Sequence, residues 1–405
     1  MNSGADLHHR ESPAGRSTAR TAFRFVLTIG IVNLLADLTY EGARSLNGAF
    51  LASLGASPAA VGLVAGFGEL IGYSFRSVTG FLADRTHRYW FFAFTGYAIN
   101  MLAVPALALA GNWQTAAMLM IAERTGRAIR KPTMETMISH AGKELGHGWV
   151  FGLNEFLDQF GATIGPLIVA SAFAARGNYG DGYAVLLISA LICLGTLFIA
   201  RIKFPKPDEL NARHPHLPAG KGLGRQYRMY LFAGMLIAAG YADFSLIAYH
   251  FQLHGVVSTQ MIPVLYAAAM ATAGLSGLLF GKLLDRRGGS VAVTAFAVGM
   301  LFAPLTFLGN AALASAGMVC WGVGAGAQDS LLKARLAAVV PAGRRATAFG
   351  LFDSAFGIAW FAGSAAMGFL YAASIPFVVI FSLGTQLLAL PLLAAGGRNE
   401  PGPAA

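Results

Sequence analysis

The sequence predicts an all-α membrane protein with twelve transmembrane helices in two pseudo-symmetric six-helix bundles. Hydrophobic residues make up 56% of the 405 residues, and charged residues make up only 12%. Soluble domains carry roughly 25% charged residues, about twice as many. Apolar stretches of about 20 residues, the length that crosses a bilayer, recur twelve times along the chain. A polar stretch in the middle of the chain divides them into two sets of six.

The apolar stretches give the predicted helices in order. The first six cover residues 23–53, 58–82, 89–110, 113–138, 149–175 and 181–202. The second six cover residues 228–253, 260–283, 290–309, 311–338, 346–373 and 375–396. The expected domains are a disordered cytoplasmic tail at 1–21, an N-terminal bundle at 22–202, a cytoplasmic linker at 203–227, a C-terminal bundle at 228–397 and a cytoplasmic tail at 398–405.

The distribution of basic residues predicts the orientation. Connections after even-numbered helices, together with both termini, carry most of the arginines and lysines, whereas the opposite connections carry only Arg176. Cytoplasmic loops collect lysine and arginine. Both termini are therefore predicted to lie in the cytoplasm, with the chain in the plasma (inner) membrane.

Two short stretches recur at nearly the same offset. Gly80–Arg85, between predicted helices 2 and 3, is matched 201 positions later by Gly281–Arg286. Phe151–Glu155, which opens helix 5, is matched 198 positions later by Phe349–Asp353 in helix 11. A parallel duplication of a six-helix half is a transporter architecture.

The repeated loop resembles the Gly-x-Leu-x-Asp-Arg-x-Gly-Arg motif of the major facilitator superfamily of secondary transporters. The first copy has His87 where the family has glycine, and the second has Gly289 in place of the last arginine. The resemblance implies alternating access, with a network around this loop closing an inner gate. The predicted gating residues are Gly80, Asp84, Arg85, Arg88, Glu123, Arg127, Arg130, Glu155, Asp158, Asp285, Arg286 and Asp353.

The first predicted helix carries a polar stripe inside its apolar run. Asn33, Asp37, Glu41 and Arg44 are spaced four, four and three residues apart, so they share one helix face. Three charges facing lipid would cost on the order of 8–10 kcal/mol. The stripe therefore faces protein or a cavity, either as a buried ion pair that locks helices or as a substrate and proton site. The predicted cavity residues are Asn33, Asp37, Tyr40, Glu41, Arg44, Glu69, Tyr73, Arg76, Tyr241, Asp243 and Trp360.

Helix 2 carries a second stripe, formed by Glu69, Tyr73 and Arg76. At a rise of about 1.5 Å per residue, Glu69 lies near the depth of Arg44, and Arg76 near that of Asp37. The expected pairs are Glu69–Arg44 and Arg76–Asp37. One acid then remains in excess, and either Asp37 or Glu41 is predicted to bind and release a proton.

Helices 4 and 5 supply further charges. Arg127 and Arg130 are expected to face Glu155 and Asp158, with gating favoured over anion binding. The stretch Gly161–Pro166 resembles a Gly-x-x-x-Gly-Pro motif of proton-coupled exporters in the superfamily, which implies close helix packing and a kink.

Helix 7 is the expected counterpart of helix 1. Aligning Gly55 with Gly255 brings Tyr241 opposite Glu41 and Asp243 close to Arg44. His250 and His254 lack a third ligand, so neither a metal nor a cofactor is predicted. Aromatic residues of helix 11, Trp360 among them, either line an apolar pocket or pack in the core.

These features predict proton-coupled efflux of amphiphilic or cationic compounds by a monomer. The alternative is a proton symporter that imports a small organic anion, with Arg44 and Arg76 binding its carboxylate. A membrane enzyme or sensor on the same scaffold would need a nucleophile, a base and an orienting group, and no such constellation is evident. No nucleic-acid partner is expected, because most of the basic residues lie in the predicted cytoplasmic segments.

Overall fold

The computed structural model describes residues 13–145, 147–205, 224–287, 290–340 and 345–397. Within these ranges the chain is helical and contains no strand. The helices fall into twelve elements, some of which are interrupted.

The first half consists of α1 (Pro13–Ser53), α2 (Pro58–Thr86), α3 (Tyr89–Ala106), α4 (Trp113–Leu145), α5 (His147–Arg176) and α6 (Tyr179–Ala184 and Leu186–Lys203). The second half consists of α7 (Arg225–Gly240 and Phe244–His254), α8 (Met261–Arg287), α9 (Ser290–Gly299 and Phe302–Phe307), α10 (Ala311–Ala327, a π-helical turn at Gln328–Leu332, and Lys333–Val339), α11 (Arg345–Ala373) and α12 (Ile375–Gly397).

Nine helices within the described ranges are long and apolar enough to cross a membrane. The other three elements are α4, α9 and α10. The α4 helix is less apolar because it carries a run of buried charges, and the apolar part of α9 is shorter, at Val291–Phe307. The chain is an integral, multi-pass, all-α membrane protein, and its twelve elements are consistent with the predicted number of helices.

Several predicted boundaries differ from the observed ones. The α1 helix already begins at Pro13, inside the tail predicted for residues 1–21, and residues 1–12 lie outside the described part of the chain. The α4 helix continues to Leu145, seven residues beyond the predicted end at 138. Of the predicted linker at 203–227, residues 206–223 likewise lie outside the description.

The molecule has two chemically different ends. The end that carries Arg85, Arg88, Arg201, Lys203 and Arg225 is called here the basic end. The other end, called the far end, carries tight turns at Gly55, Gly177 and Gly255, whose φ angles are 79°, 75° and 59°. Left-handed φ angles of this kind favour glycine.

The two halves pack against each other along three pairs of helices, α1 with α7, α2 with α11, and α5 with α8. The approach is closest toward the far end. A Cβ added to Gly48 of α1 would lie 1.8 Å from the carbonyl oxygen of Ser245 in α7, and one added to Gly62 of α2 would lie 2.4 Å from that of Ser364 in α11. Glycine is required at both positions because backbone touches backbone there.

The α7 helix is interrupted at Tyr241–Asp243, where the sequence predicts one continuous helix at 228–253. The interruption exposes two backbone carbonyls that lipid could not satisfy. Ser382 Oγ and Gln386 Nε2 donate to the Gly240 oxygen at 2.6 and 3.2 Å, and Trp321 Nε1 donates to the Ala242 oxygen at 3.0 Å. The predicted span is present at Arg225–His254, and distant side chains of α10 and α12 stabilise the unpredicted break within it.

Candidate functional site

Arg44 of α1 lies at the contact between the two halves. Its Nη2 donates to Asp243 Oδ2 of α7 at 2.9 Å and to Glu69 Oε1 of α2 at 3.2 Å. Its Nη1 lies 3.8 Å from Glu41 Oε1, one turn earlier on the same helix. The predicted Glu69–Arg44 pair is therefore present. Arg44 binds three acids at once and joins the two halves.

The interruption of α7 positions Asp243. The residue has an extended backbone and caps the second segment of the helix, where its Oδ1 accepts a hydrogen bond from the Ser245 backbone N–H at 2.8 Å. Its Oδ2 remains available for Arg44, and only 2% of the residue is exposed. A neighbouring contact also crosses between the halves, because the Tyr266 hydroxyl of α8 donates to Glu41 Oε2.

A second arginine, Arg124 of α4, continues the chain of charges. Its Nη2 lies 3.3 Å from Glu69 Oε1 and its Nε lies 3.5 Å from Glu123 Oε2. Asn100 of α3 then donates from Nδ2 to Glu123 Oε1 at 2.8 Å. The charges of α1, α2 and α4 are thus linked by direct contacts in the interior of the first half.

Arg130 of α4 is buried and contacts both α1 and α3. Its Nη2 donates to Asp37 Oδ1 at 3.3 Å, its Nε to Asn100 Oδ1 at 3.2 Å, and its Nη1 to the Tyr97 hydroxyl at 3.2 Å. The guanidinium of Arg127 lies over the ring of Tyr40, 4.2 Å from the ring centroid.

Two of the predicted pairings are therefore wrong. Asp37 pairs with Arg130, whereas the guanidinium of Arg76 lies 5.2 Å from the ring centroid of Tyr73. Arg130 turns toward α1 and α3 and contacts neither Glu155 nor Asp158 within hydrogen-bonding distance. The position of a residue along a helix does not fix the rotation of that helix, and the rotation decides which neighbour a side chain meets.

Asn33 extends the network toward the basic end. The Tyr97 hydroxyl donates to Asn33 Oδ1 at 2.5 Å, and Asn33 Nδ2 donates to Asn154 Oδ1 of α5 at 2.7 Å. Asn154 Nδ2 in turn donates to Asp158 Oδ2 at 3.1 Å. The other oxygen of that carboxylate, Asp158 Oδ1, is buried and finds no hydrogen-bond partner among the residues that the structure describes.

Together these groups form what we call the buried charge network. It contains four arginines and six acids, so its formal charge is −2 if every acid is ionised. Charges inside a membrane protein are costly, and they mark ion or substrate pathways. The arginines are Arg44, Arg124, Arg127 and Arg130, and the acids are Asp37, Glu41, Glu69, Glu123, Asp158 and Asp243.

Aromatic residues of the second half lie beside the network. The Tyr241 hydroxyl donates to the Trp321 carbonyl oxygen, and its ring centroid is 5.6 Å from that of Trp360. Phe356 continues the row, 5.7 Å from Trp360 and 5.5 Å from Tyr73 of α2. Trp360 Nε1 is buried and has no hydrogen-bond partner among the described side chains and backbone groups.

The predicted gating residues at the basic end are only partly described. Arg85, Arg88 and Glu155 are exposed, and Asp353 is half-buried. Gly80 faces Pro132. A Cβ added to Gly80 would lie 3.4 Å from the Cβ of Pro132. The side chains of Asp84, Asp285 and Arg286 lie outside the described residues, and the predicted network around Asp84 with them.

The described residues contain no group of three or more His, Cys, Asp or Glu side chains placed to hold a metal ion. His250 instead forms a hydrogen bond of 2.8 Å between its Nδ1 and the Tyr371 hydroxyl. Its ring centroid lies 4.8 Å from that of His254.

Five members of the site were not among the predicted site residues. An isolated polar side chain inside an apolar helix would have identified Asn100, and the spacing of three residues would have identified its neighbour Tyr97. No local pattern distinguishes a tyrosine that contacts a carboxylate from one in the core. The five residues are Tyr97, Asn100, Arg124, Asn154 and Tyr266.

These features define a multi-pass membrane protein in which charged groups are enclosed between two helical halves, as in secondary transporters. Residues 29–364 match the family model of the Major Facilitator Superfamily. An uncharacterized protein of Mycobacterium tuberculosis is 38% identical over 383 residues, which cover 93% of this chain and 94% of that protein. The chain belongs to the major facilitator superfamily, whose members move solutes across membranes.

Solved structures agree with this fold. A variant of the nucleoside transporter NupG has a TM-score of 0.73 at 13% identity, covering 92% of this chain and 99% of that one. A bacterial homologue of the human lysosomal transporter Spinster, in an inward-facing and occupied conformation, has a TM-score of 0.72 at 15% identity, covering 95% of this chain and 97% of that one. At these identities the likeness shows the fold alone.

Proposed function

We propose that this transporter exports amphiphilic or cationic organic compounds in exchange for protons across the plasma (inner) membrane. The observation that carries the proposal is the buried charge network, in which six acids outnumber four arginines and which reaches the second half through the contact between Arg44 and Asp243. Two surplus negative charges inside a membrane favour the binding of protons or of a cationic solute. A carrier that binds either protons or the cationic solute at this network, but not both at once, couples proton entry to solute export.

The proposed movement is rocking of the N-terminal bundle (22–202) against the C-terminal bundle (228–397), within a single chain that acts as a monomer. Arg44 supports this proposal because it contacts Glu69 in its own half and Asp243 in the other. When the halves separate, the contact between Arg44 and Asp243 breaks, while Glu69 still neutralises Arg44. We place the basic end in the cytoplasm, where arginine and lysine accumulate.

The test is efflux of a fluorescent lipophilic cation from energised cells, with and without an uncoupler. Cells expressing the wild type should export the dye, and the uncoupler should abolish export. The variant Asp37→Asn should lose driven export because it leaves Arg130 without its acid. The matched control is Asp181→Asn, which changes an acid of the far end and should export normally. Equal dye retention in wild-type and empty-vector cells would contradict cation efflux.

A second candidate function is proton-coupled import of a small organic anion. It is favoured by Arg76, which is half-buried and whose Nε is buried without a hydrogen-bond partner in the described ranges. Arg76 has no ion pair among the described residues, so its charge is available to a carboxylate. Uptake of labelled organic anions should then fall sharply in Arg76→Gln and survive in Arg76→Lys. Normal uptake in Arg76→Gln would rule out this role.

A further inference from the structure

Asp158 differs from every other acid of the buried charge network. The other five acids each have an arginine nitrogen close by, at 3.3 Å from Asp37, 3.8 Å from Glu41, 3.2 Å from Glu69, 3.5 Å from Glu123 and 2.9 Å from Asp243. Among the described residues, Asp158 has a hydrogen bond from a neutral amide but no ion pair.

The two oxygens of Asp158 have different surroundings. Oδ2 accepts a hydrogen bond from Asn154, whereas Oδ1 is buried and has no hydrogen-bond partner in the described part of the chain. A buried carboxylate without a cation or a full set of hydrogen bonds is costly, and such a group neutralises itself by binding a proton. Protonation makes Oδ1 a hydroxyl and removes the charge, while Oδ2 keeps its bond to Asn154.

The charged groups around Asp158 do not replace a counterion. Asp37 of α1 and Glu155 of α5 add negative charge, while Arg130 and Lys131 of α4 add positive charge from beyond ion-pair distance. Arg130 is already bound to Asp37. The α8 helix packs beside α5 at Gly274 and has no charged residue between Met261 and Phe280.

We propose that Asp158 is the carboxylate that binds and releases the coupling proton, and that the five arginine-paired acids remain ionised. This inference rests on the proposed proton coupling and replaces Asp37 and Glu41 as the proton carrier. Two hydrogen bonds, from Asn154 to Asp158 and from Asn33 to Asn154, connect this carboxylate to the stripe on α1. A change in its charge therefore reaches the helix that contacts the second half.

The direct test is infrared difference spectroscopy of the full-length protein in lipid, which detects the carbonyl stretch of a protonated carboxyl. Solvent-exposed carboxyls stay ionised between about pH 6 and 8, so they do not contribute. The wild type should show a protonated-carboxyl band that diminishes as the pH rises. The band should disappear in Asp158→Asn, persist in the far-end variant Asp181→Asn, and return shifted in Asp158→Glu.

Persistence of the band in Asp158→Asn, or its loss in Asp37→Asn alone, would overturn the assignment. Monodisperse Asp158→Asn that melts near the wild-type temperature would show that the loss does not come from misfolding. If Asp158→Asn melts well below the wild-type temperature, the test is the frequency of the band in Asp158→Glu. A shift from the wild-type frequency supports the assignment to Asp158, and an unshifted band overturns it.

Transport separates failure of this inference from failure of the proposed function. If an uncoupler abolishes export by the wild type and equally by Asp158→Asn, coupling stands and the assignment to Asp158 is wrong. If the band behaves as expected but export by the wild type ignores the uncoupler, Asp158 binds a proton and the proposed coupling is wrong. Uncoupler-sensitive export that is lost in Asp158→Asn and retained in Asp181→Asn would support both.

Discussion

At the scale of single residues, Asp243 combines two functions that can be separated by mutation. One oxygen caps the second segment of α7, and the other binds Arg44 of the opposite half. Asparagine caps a helix about as well as aspartate does. The two functions therefore respond differently to replacement by asparagine and by alanine.

We expect Asp243→Asn to lower the free energy of unfolding by about 1.5–3 kcal/mol, because it removes a hydrogen bond between charged groups and keeps the cap, while Glu69 still neutralises Arg44. Asp243→Ala should cost about 0.5–2 kcal/mol more, because it also removes the cap. Thermal unfolding of the purified protein in detergent measures both. The control is Asp181→Asn, whose partner Arg176 is largely exposed, so at most about 1 kcal/mol should be lost. Equal stability of the two Asp243 variants would show that the cap contributes nothing.

At the scale of elements, the halves meet where helices lack side chains. Gly48 brings α1 against the backbone of α7, and Gly62 brings α2 against that of α11. Small residues of this kind allow close helix packing inside membranes, where burial of apolar area drives little association. The close contact of the two halves toward the far end depends on these glycines.

The variant Gly48→Ala should push α1 away from α7, at a cost of roughly 1–3 kcal/mol to the closed arrangement. A cysteine introduced at Ala52, with Cys193 and Cys320 replaced, should then react faster with a membrane-impermeant maleimide. Gly384→Ala is the matched control, because no atom lies within 4 Å of an added Cβ. An unchanged labelling rate in Gly48→Ala would mean that this contact does not hold the far end closed.

At the scale of the whole molecule, charge separates the two ends of the protein. Arg85, Arg88, Arg201 and Lys203 lie at one end, and the glycine turns lie at the other. The proposed orientation places the first set in the cytoplasm.

This orientation predicts opposite labelling of two exposed positions in intact cells. A cysteine at Asn112, in the connection between α3 and α4, should react with an impermeant maleimide added outside. A cysteine at Arg88, between α2 and α3, should react only after the cells are permeabilised. Both positions are exposed in the fold, so access depends on the side of the membrane alone. Labelling of Arg88→Cys in intact cells would reverse the assignment.

The sequence alone determined the membrane class, the position of most helices, the internal repeat and the family. Hydrophobic length decides where a chain crosses a bilayer, and this property is local. The stripe of α1 and the Glu69–Arg44 pair were also predictable, because helical spacing and depth along neighbouring helices are sufficient for them.

Only the tertiary structure decided the partner of Arg130, the interruption of α7 and the lack of an ion pair at Asp158 within the described ranges. Spacing shows which residues share a helix face but not toward which neighbour that face is rotated, so Asp37 was assigned to the wrong arginine. The break in α7 is stabilised by Ser382 and Gln386, which are more than a hundred residues away along the chain. Contacts of that range arise only when all the helices pack together.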